Sequence, residues 1–221
     1  MKIAEAALPS RRIDRRRART RAALLEAGRT LLANREVEGL SVDEIVATAD
    51  VAKGSFYNHF ADKDVFAREI AAAVRHQAEV AVERANTGIT EPTLRLAQAL
   101  CVFVRFATEH RDSAQVLWRL NSGATMADAP VNRGLREEIV LVAKSMPATQ
   151  LDVETGVLLV MGTIIIAMRH ALEERAVTPP KLVAAHMSAG MLRSLGLSAR
   201  RAQSLAMKAT RAIFDQPVLP G

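Results

Sequence analysis

Apolar residues recur at helical spacing along most of the chain. The leucines between residues 24 and 32 share one face, and Asn34 can end a helix in a left-handed conformation, which predicts a first helix over 15–33. Ser41-Val42-Asp43-Glu44 has the spacing of a capping box, in which a serine and a glutamate satisfy backbone N–H groups at a helix start. This pattern predicts a short second helix over 42–49.

A turn and a third helix follow closely. Asp50 tolerates the left-handed conformation that a tight turn needs. Phe56 and Phe60, four residues apart, predict the inward face of a third helix over 53–60, and Asp62 is a suitable N-cap for a fourth. Three short helices therefore precede the first long one.

The rest of the chain shows the same periodicity. Glycine and proline are few and fall between the apolar segments, and aromatic residues make up 4% of the chain. The pattern predicts an all-α fold. The further predicted helices lie over 63–87, 92–110, 112–122, 131–146, 151–175, 180–195 and 199–214.

Composition narrows the class of protein. The chain has 221 residues and 49% apolar content, enough for a packed core. Its lone cysteine, Cys101, excludes an internal disulfide. The N-terminus lacks an apolar signal stretch, and the most apolar segment, 157–168, is shorter than the ~20 residues that a membrane span needs. We therefore expect a cytoplasmic protein with no membrane partner.

The positive charge is concentrated at the N-terminus. The whole chain carries +6, and residues 1–30 contain nine basic side chains against three acidic ones. A short basic segment of this kind fits an anionic partner. It is also typical of a solvated tail.

The second and third helices have the layout of a helix-turn-helix, whose second helix enters the major groove of DNA. With Phe56 and Phe60 inward, the polar side chains of that helix point elsewhere. Gly54, which lacks a side chain, allows close approach to a base edge or a phosphate. The predicted DNA-binding residues of this helix are Lys53, Gly54, Ser55, Tyr57, Asn58 and His59.

The run from Ser41 to Lys63, with its capped helix, turn, Tyr-x-His-Phe and following lysine, resembles the DNA-binding domain of the tetracycline-repressor (TetR) family. The resemblance covers about residues 15–66. It implies that Tyr57 and His59 contact phosphates, that Ser41 and Lys63 hold the DNA backbone at helix starts, and that Lys53 and Ser55 read bases. The alternatives are a packed ring for Tyr57 and a plain surface position for His59.

Two residues depart from the family pattern. Asp50 stands where a glycine is usual, and Ala52 stands where a Ser or Thr usually caps the recognition helix. An uncapped start costs a helix about 1 kcal/mol. We expect lower local stability with an unchanged fold.

Four arginines in the basic segment, Arg15, Arg16, Arg17 and Arg19, are predicted to contact DNA. Arginines at a helix start oppose the helix dipole, and a phosphate or a narrow minor groove would offset that cost.

The predicted organisation is a basic arm over 1–14, a DNA-binding domain over 15–64 and a ligand-binding and dimerisation domain over 65–221.

Small residues on the predicted helices 151–175 and 180–195 indicate a dimer interface. The resemblance to the TetR family implies that these two helices of each subunit form a four-helix bundle. Ordinary packing within one subunit is the alternative. The predicted interface residues are Gly156, Val160, Thr163, Ala167, Ala185, Ser188, Ala189 and Leu192.

Several large side chains are candidates for lining a small-molecule pocket, with plain core packing as the alternative: Phe103, Phe106, Trp118, Met126, Met161 and His170. Arg105 shares a predicted helix face with Arg95, Gln98 and Glu109, which predicts a solvated stripe rather than a ligand anchor.

The expected function is a dimeric repressor that binds a palindromic operator in double-stranded DNA and is released by an unidentified, mostly apolar small molecule. The alternatives are a DNA-binding or architectural protein without small-molecule input, and a helical enzyme. The five histidines form no H-E-x-x-H pattern, and no nucleophile elbow or phosphate-binding glycine loop is present. We therefore expect no catalytic activity, no metal and no cofactor.

Overall fold

The computed structural model describes residues 8–120, 130–146 and 151–215. Within these ranges the protein is all-α, as predicted, and has no strand. A 3₁₀ turn at Pro130–Asn132 precedes the seventh helix. In chain order the helices are α1 (Leu8–Leu32), α2 (Val42–Thr48), α3 (Lys53–Tyr57), α4 (Lys63–Ala85), α5 (Pro92–Glu109), α6 (Arg111–Arg119), α7 (Arg133–Ser145), α8 (Val153–Leu172), α9 (Pro180–Ser194) and α10 (Ala199–Phe214).

The chain divides into two compact units, one ending at Ala73 and the other beginning at Val74. The boundary lies within α4, because its first turns supply Phe66 and Ile70 to the buried core of the N-terminal unit. The domain boundaries predicted from the sequence, with a division after residue 64, stay a prediction.

Aromatic side chains form the centre of the N-terminal unit. Phe56, Phe60 and Phe66 are buried, and the ring centroids of Phe60 and Phe66 are 4.8 Å apart at a steep angle. Gly28 lets α1 approach these rings, since a Cβ at this position would lie 2.3 Å from Phe66 Cζ. This packing holds α1, α3 and the start of α4 together.

The first helix is longer than predicted. It begins at Leu8 rather than at residue 15. Arginine is a good helix former, and Pro9 is tolerated in a first turn because its missing N–H has no partner to lose there. The basic segment is therefore largely helical.

The helix-turn-helix itself matches the sequence prediction at its caps and turn. Ser41 Oγ accepts from the Glu44 N–H at 3.1 Å, and the Glu44 carboxylate accepts from the Ser41 N–H at 3.0 Å, which confirms the capping box. Asp50 has φ 52° in the turn. Ala52 caps α3 without a side-chain hydrogen bond.

The third helix is shorter than predicted. It ends at Tyr57 rather than at Phe60, because the His59 N–H donates to Phe56 O at 2.9 Å and tightens the last turn. Phe60 still lies inward and is buried.

Helix α5 is the centre of the C-terminal unit. It packs against α8, α9 and α10, and also contacts α6 and α7. Cys101 on α5 is fully buried, with its thiol 3.7 Å from both Ser188 Oγ on α9 and Thr210 Oγ1 on α10. Burial raises the pKa of this thiol.

The prediction of a solvated Arg105 is wrong. The residue is 5% exposed, its Nε donates to Glu109 at 2.7 Å, and its Nη1 donates to Ile213 O at the end of α10. Gln98 and Val102, on the same face of α5, are also buried. This face turns inward because α10 packs along α5, which the periodicity of α5 alone does not show.

Helix α8 extends beyond the apolar segment 157–168 at both ends. Its 20 residues are enough to cross a membrane by length and composition, and one such helix is weak evidence for a span because core helices pass the same test. It packs against α5, α7 and α9.

Candidate nucleic-acid interface

The outer face of the helix-turn-helix carries most of the predicted DNA-binding side chains. Lys53, Tyr57 and Asn58 are exposed, while Ser55 and His59 are half-buried. The Tyr57 ring packs edge-on against Phe56, with centroids 5.4 Å apart, and the residue remains 57% exposed. Tyr57 is thus packed on one side and accessible on the other.

Gly54 lies on the same outer face. A Cβ added there would meet nothing within 4 Å, so the protein itself does not require a glycine at this position. The empty space is outside the subunit. A molecule that lies close to the start of α3 would use it.

Lys53 is held by a neighbouring carboxylate. Its Nζ lies 2.8 Å from Asp43 Oδ1 on α2, and a hydrogen bond to Asp43 raises the pKa of the lysine. The pair is exposed, so it contributes little to stability. It directs the ammonium group along the outer face of the helix-turn-helix.

Ser41 and Lys63 both make contacts within the protein. The Ser41 hydroxyl belongs to the capping box, and the backbone N–H of Ser41 holds the pKa of Glu44 below its usual range, with Arg35 adding to the effect. Lys63 Nζ donates to Leu40 O at 2.6 Å and lies 3.4 Å from Val37 O. The lysine therefore ties the start of α4 to the segment before α2.

The predicted arginines lie along the exposed surface of α1, as Arg15, Arg16, Arg17 and Arg19. Arg21 was missed by the sequence analysis. Its guanidinium lies 5.4 Å from the Phe60 ring centroid and pairs with Glu69. Its position four residues after Arg17 is the signal that could have identified it, because such residues share a helix face.

This unit matches a known family. Residues 24–70 match the family described as bacterial regulatory proteins, tetR family. The N-terminal unit is therefore similar to the DNA-binding domain of the tetR family over these residues. The resemblance stated from the sequence is thereby confirmed.

One curated relative and two solved structures are among the proteins to which the chain is similar. The HTH-type transcriptional repressor DhaR of Mycobacterium sp. (strain GP1) is 43% identical over 47 residues, 21% of this chain, and that match spans about a quarter (24%) of DhaR. RolR in complex with the ligand resorcinol superposes with a TM-score of 0.62 at 25% identity, over 87% of this chain and 95% of that chain.

A gamma-butyrolactone receptor, described as an ArpA-like protein, shares the fold. Its TM-score is 0.63 at 19% identity, over 89% of this chain and 98% of that chain. The likeness to both structures extends through the C-terminal unit, where the family match does not reach.

The candidate ligand-binding residues differ in how far they are buried. Phe106 and Met161 are buried, while Phe103, Trp118 and His170 are half-buried. The Arg169 guanidinium lies 4.8 Å from the Trp118 ring centroid. Met126 lies outside the described residues. A cavity of about 120 Å³ in the C-terminal unit is lined instead by Glu91, Pro92, Thr93, Ser145, Met146, Leu197 and Arg201.

Most of the small residues predicted at a dimer interface face the interior of their own subunit. A Cβ on Gly156 would lie 2.7 Å from Ile139 Cγ2 on α7, and Ser188 Oγ donates to Ala97 O on α5 at 3.5 Å. Thr163 and Ala185 are half-buried. The buried members are Gly156, Val160, Ala167, Ser188, Ala189 and Leu192. These six residues pack within their own subunit, and the predicted dimer interface stays a prediction.

The exposed apolar residues of α8 and α9 were missed. Leu158, Leu159 and Ile166 on α8 are 41%, 37% and 57% exposed, and Leu182 on α9 is 48% exposed. The sequence contains a signal for them, because α8 is apolar on nearly all sides. In the structure the neighbouring helices cover only part of this apolar surface, which leaves these side chains exposed.

Proposed function

We propose that the protein is a transcriptional repressor that binds a palindromic operator as a homodimer and is released from DNA by a small, mostly apolar ligand. The observation that carries the proposal is the helix-turn-helix of a TetR-type domain, with Lys53, Tyr57 and Asn58 exposed on one face. A DNA-binding regulator of this kind acts in the cytoplasm.

In this proposal α3 enters the major groove. Lys53 and Ser55 face base edges, with lysine to guanine the expected pairing, and Tyr57 and His59 donate to phosphates. Lys53 exchanges Asp43 for DNA on binding. Because an exposed ion pair is worth at most about 1 kcal/mol, this exchange is inexpensive.

The exposed faces of α8 and α9 form the proposed dimer interface. Leu158, Leu159, Ile166 and Leu182 are too numerous and too exposed to be scattered surface residues. A Cβ on Gly162 or Gly190 would meet nothing within 4 Å, so a helix of a second subunit can approach closely at both positions. Two subunits then place two copies of α3 about one helical turn of DNA, ~34–36 Å, apart.

The C-terminal unit supplies the proposed ligand site. It contains buried side-chain atoms without a hydrogen-bond partner among the described residues, namely Asn86 Oδ1, Arg95 Nε, Gln98 Oε1, Glu109 Oε2 and Glu138 Oε2. Buried polar atoms are usually satisfied, so a mostly apolar molecule with a hydroxyl or amide group beside one of these atoms would stabilise the unit. RolR, solved with resorcinol, offers a precedent among similar folds.

The test begins with genomic fragments selected by the purified protein. Wild-type protein should bind a symmetric fragment more tightly than the same fragment with one half-site scrambled, by fluorescence anisotropy. Equal affinity for both fragments would contradict operator binding by a dimer.

Ligand release is tested separately. Apolar compounds that raise the melting temperature are titrated with and without the operator. A ligand that weakens operator binding ~10²-fold must itself bind ~10²-fold more weakly to the complex, a coupling of about 2.7 kcal/mol. If every stabilising compound binds equally in both conditions, the protein is a DNA-binding regulator without small-molecule input.

A further inference from the structure

A cleft in the N-terminal unit lies between α1 and the turn after α3. Its volume is about 310 Å³, and Asp14, Arg17, Ala18, Arg21 and His59 line it. The four α1 residues occupy positions i, i+3, i+4 and i+7, so they share one face of the helix. The cleft therefore joins the basic helix to the end of the recognition helix.

The side chains of the cleft are mostly cationic or can become so. The guanidinium groups of Arg17 and Arg21 and the imidazole of His59 face one volume, against the single carboxylate of Asp14. Burial, and then the charges of Arg17 and Arg21, hold the pKa of His59 below its usual range. An anion in the cleft would offset the repulsion between these positive charges and favour the protonated form of His59.

The arrangement is partly preorganised. Glu69 on α4 pairs with the Arg21 guanidinium, which also lies over the Phe60 ring. A guanidinium held in this way loses less side-chain entropy when it binds a ligand, and its planar fork fits phosphate oxygens. Arg17 is exposed and supplies a second fork.

We infer that this cleft binds a phosphate group of the DNA backbone, with Arg17 and Arg21 as charged donors and His59 as a titratable donor. The inference rests on the proposed DNA-binding function. It assigns two arginines of α1 to the phosphate backbone next to the recognition helix and gives no such role to Arg15, Arg16 or Arg19, which do not line the cleft.

The site links DNA binding to protonation. A phosphate beside His59 raises the pKa of the imidazole above its value in the free protein, so binding takes up a proton. The charged groups around His59 are Asp14, Arg17 and Arg21 of α1, with Glu69 of α4 acting through Arg21. Affinity rises as the pH falls through the pKa of the complex and levels off below the lower pKa of the free protein. The rise is at most tenfold per pH unit for each protomer.

The first experiment compares Arg17→Gln with Arg16→Gln, a matched loss of one exposed arginine from the same helix. Arg17→Gln should lower the slope of log affinity against log salt by about 0.9 per protomer, and Arg16→Gln should lower it less. Asp14→Asn should increase affinity several-fold. Equal slopes for the two arginine variants would overturn the inference while leaving operator binding by the wild type intact. If the wild type binds no operator, the proposed function itself fails.

The second experiment measures operator affinity against pH at constant salt. The wild type should bind more tightly as the pH falls, and His59→Gln should remove most of this dependence; equal pH dependence in both proteins would overturn the role of His59. Circular dichroism checks that the variants are folded.

Inorganic phosphate distinguishes a backbone phosphate from a free anion. It should compete with the operator no better than chloride at the same ionic strength. Strong competition at low phosphate concentration would assign the cleft to a free anion and overturn the DNA assignment.

Discussion

Arg105 shows how the environment of a single residue escapes a sequence argument. Its spacing with Arg95, Gln98 and Glu109 fits a solvated stripe, yet the guanidinium is buried against Glu109 and the end of α10. Burial on this face depends on a helix about a hundred residues later in the chain. Local periodicity contains no information about that contact.

We expect Arg105→Met to lower the free energy of unfolding by about 3 kcal/mol, because it leaves the largely buried Glu109 without its ion-pair partner. Arg169→Met is the matched control, since Arg169 and Glu173 form the same i, i+4 pair in an exposed position. Its loss should cost less than about 1 kcal/mol. Urea unfolding of both variants provides the measurement, and equal losses would contradict the buried role of Arg105.

The contacts of Lys63 predict a structural role for this residue, whereas the family resemblance implies a direct contact with the DNA backbone. Its ammonium already donates to Leu40 O, which makes it a residue that positions Ser41 and α2. Lys63→Met should weaken operator binding and lower the free energy of unfolding by about 1 kcal/mol while leaving the salt slope unchanged. A slope reduced by about 0.9 per protomer would instead show a direct phosphate contact.

At the scale of helices, local chemistry was sufficient for the helix-turn-helix. The capping box at Ser41, the left-handed Asp50 and the inward Phe56 were all predicted because each depends on neighbours within a few residues. The start of α1 was not, because helix propensity alone gives no clear boundary in an arginine-rich segment.

Substitutions at Gly28 and Gly54 separate the effect of side-chain packing on stability from the effect of helix propensity. Alanine is a better helix former than glycine by up to about 1 kcal/mol, so both substitutions would stabilise an isolated helix. Gly28→Ala should nevertheless destabilise the protein by about 1–3 kcal/mol, because the new Cβ would collide with Phe66 and Ile70. Gly54→Ala should stabilise it, since nothing lies within 4 Å.

Thermal or urea unfolding measures both effects. Gly54→Ala should also weaken operator binding if α3 approaches DNA at that point. A variant that is more stable and binds equally well would show that the start of α3 does not lie against the DNA.

At the scale of the molecule, the sequence indicated a second helical unit but could not distinguish the two apolar faces of α8. Gly156 and Val160 pack inside the subunit, whereas Leu159 and Ile166 are exposed. Both faces of this helix are apolar, so hydrophobicity cannot distinguish a core face from an interface. The positions of the helices packed against α8, which include α5, α6, α7 and α9, make that distinction.

We expect Ile166→Glu to weaken dimerisation by about 100-fold or more, because a charge in an apolar interface costs several kcal/mol. Operator affinity should fall with it, since one subunit contacts only one half-site. Leu141→Glu on α7 is the control, because Leu141 is 46% exposed but lies outside the proposed interface. Sedimentation gives the oligomeric state, and two dimeric variants would rule out this face.

The buried thiol of Cys101 can report on the transient opening of the C-terminal unit. Since the chain has a single cysteine and its side chain is fully enclosed between α5, α9 and α10, a thiol reagent can react only after these helices separate. The rate of labelling under native conditions therefore measures how often the unit opens. A molecule that binds and stabilises this unit should slow the labelling in proportion to its occupancy, without any engineered probe.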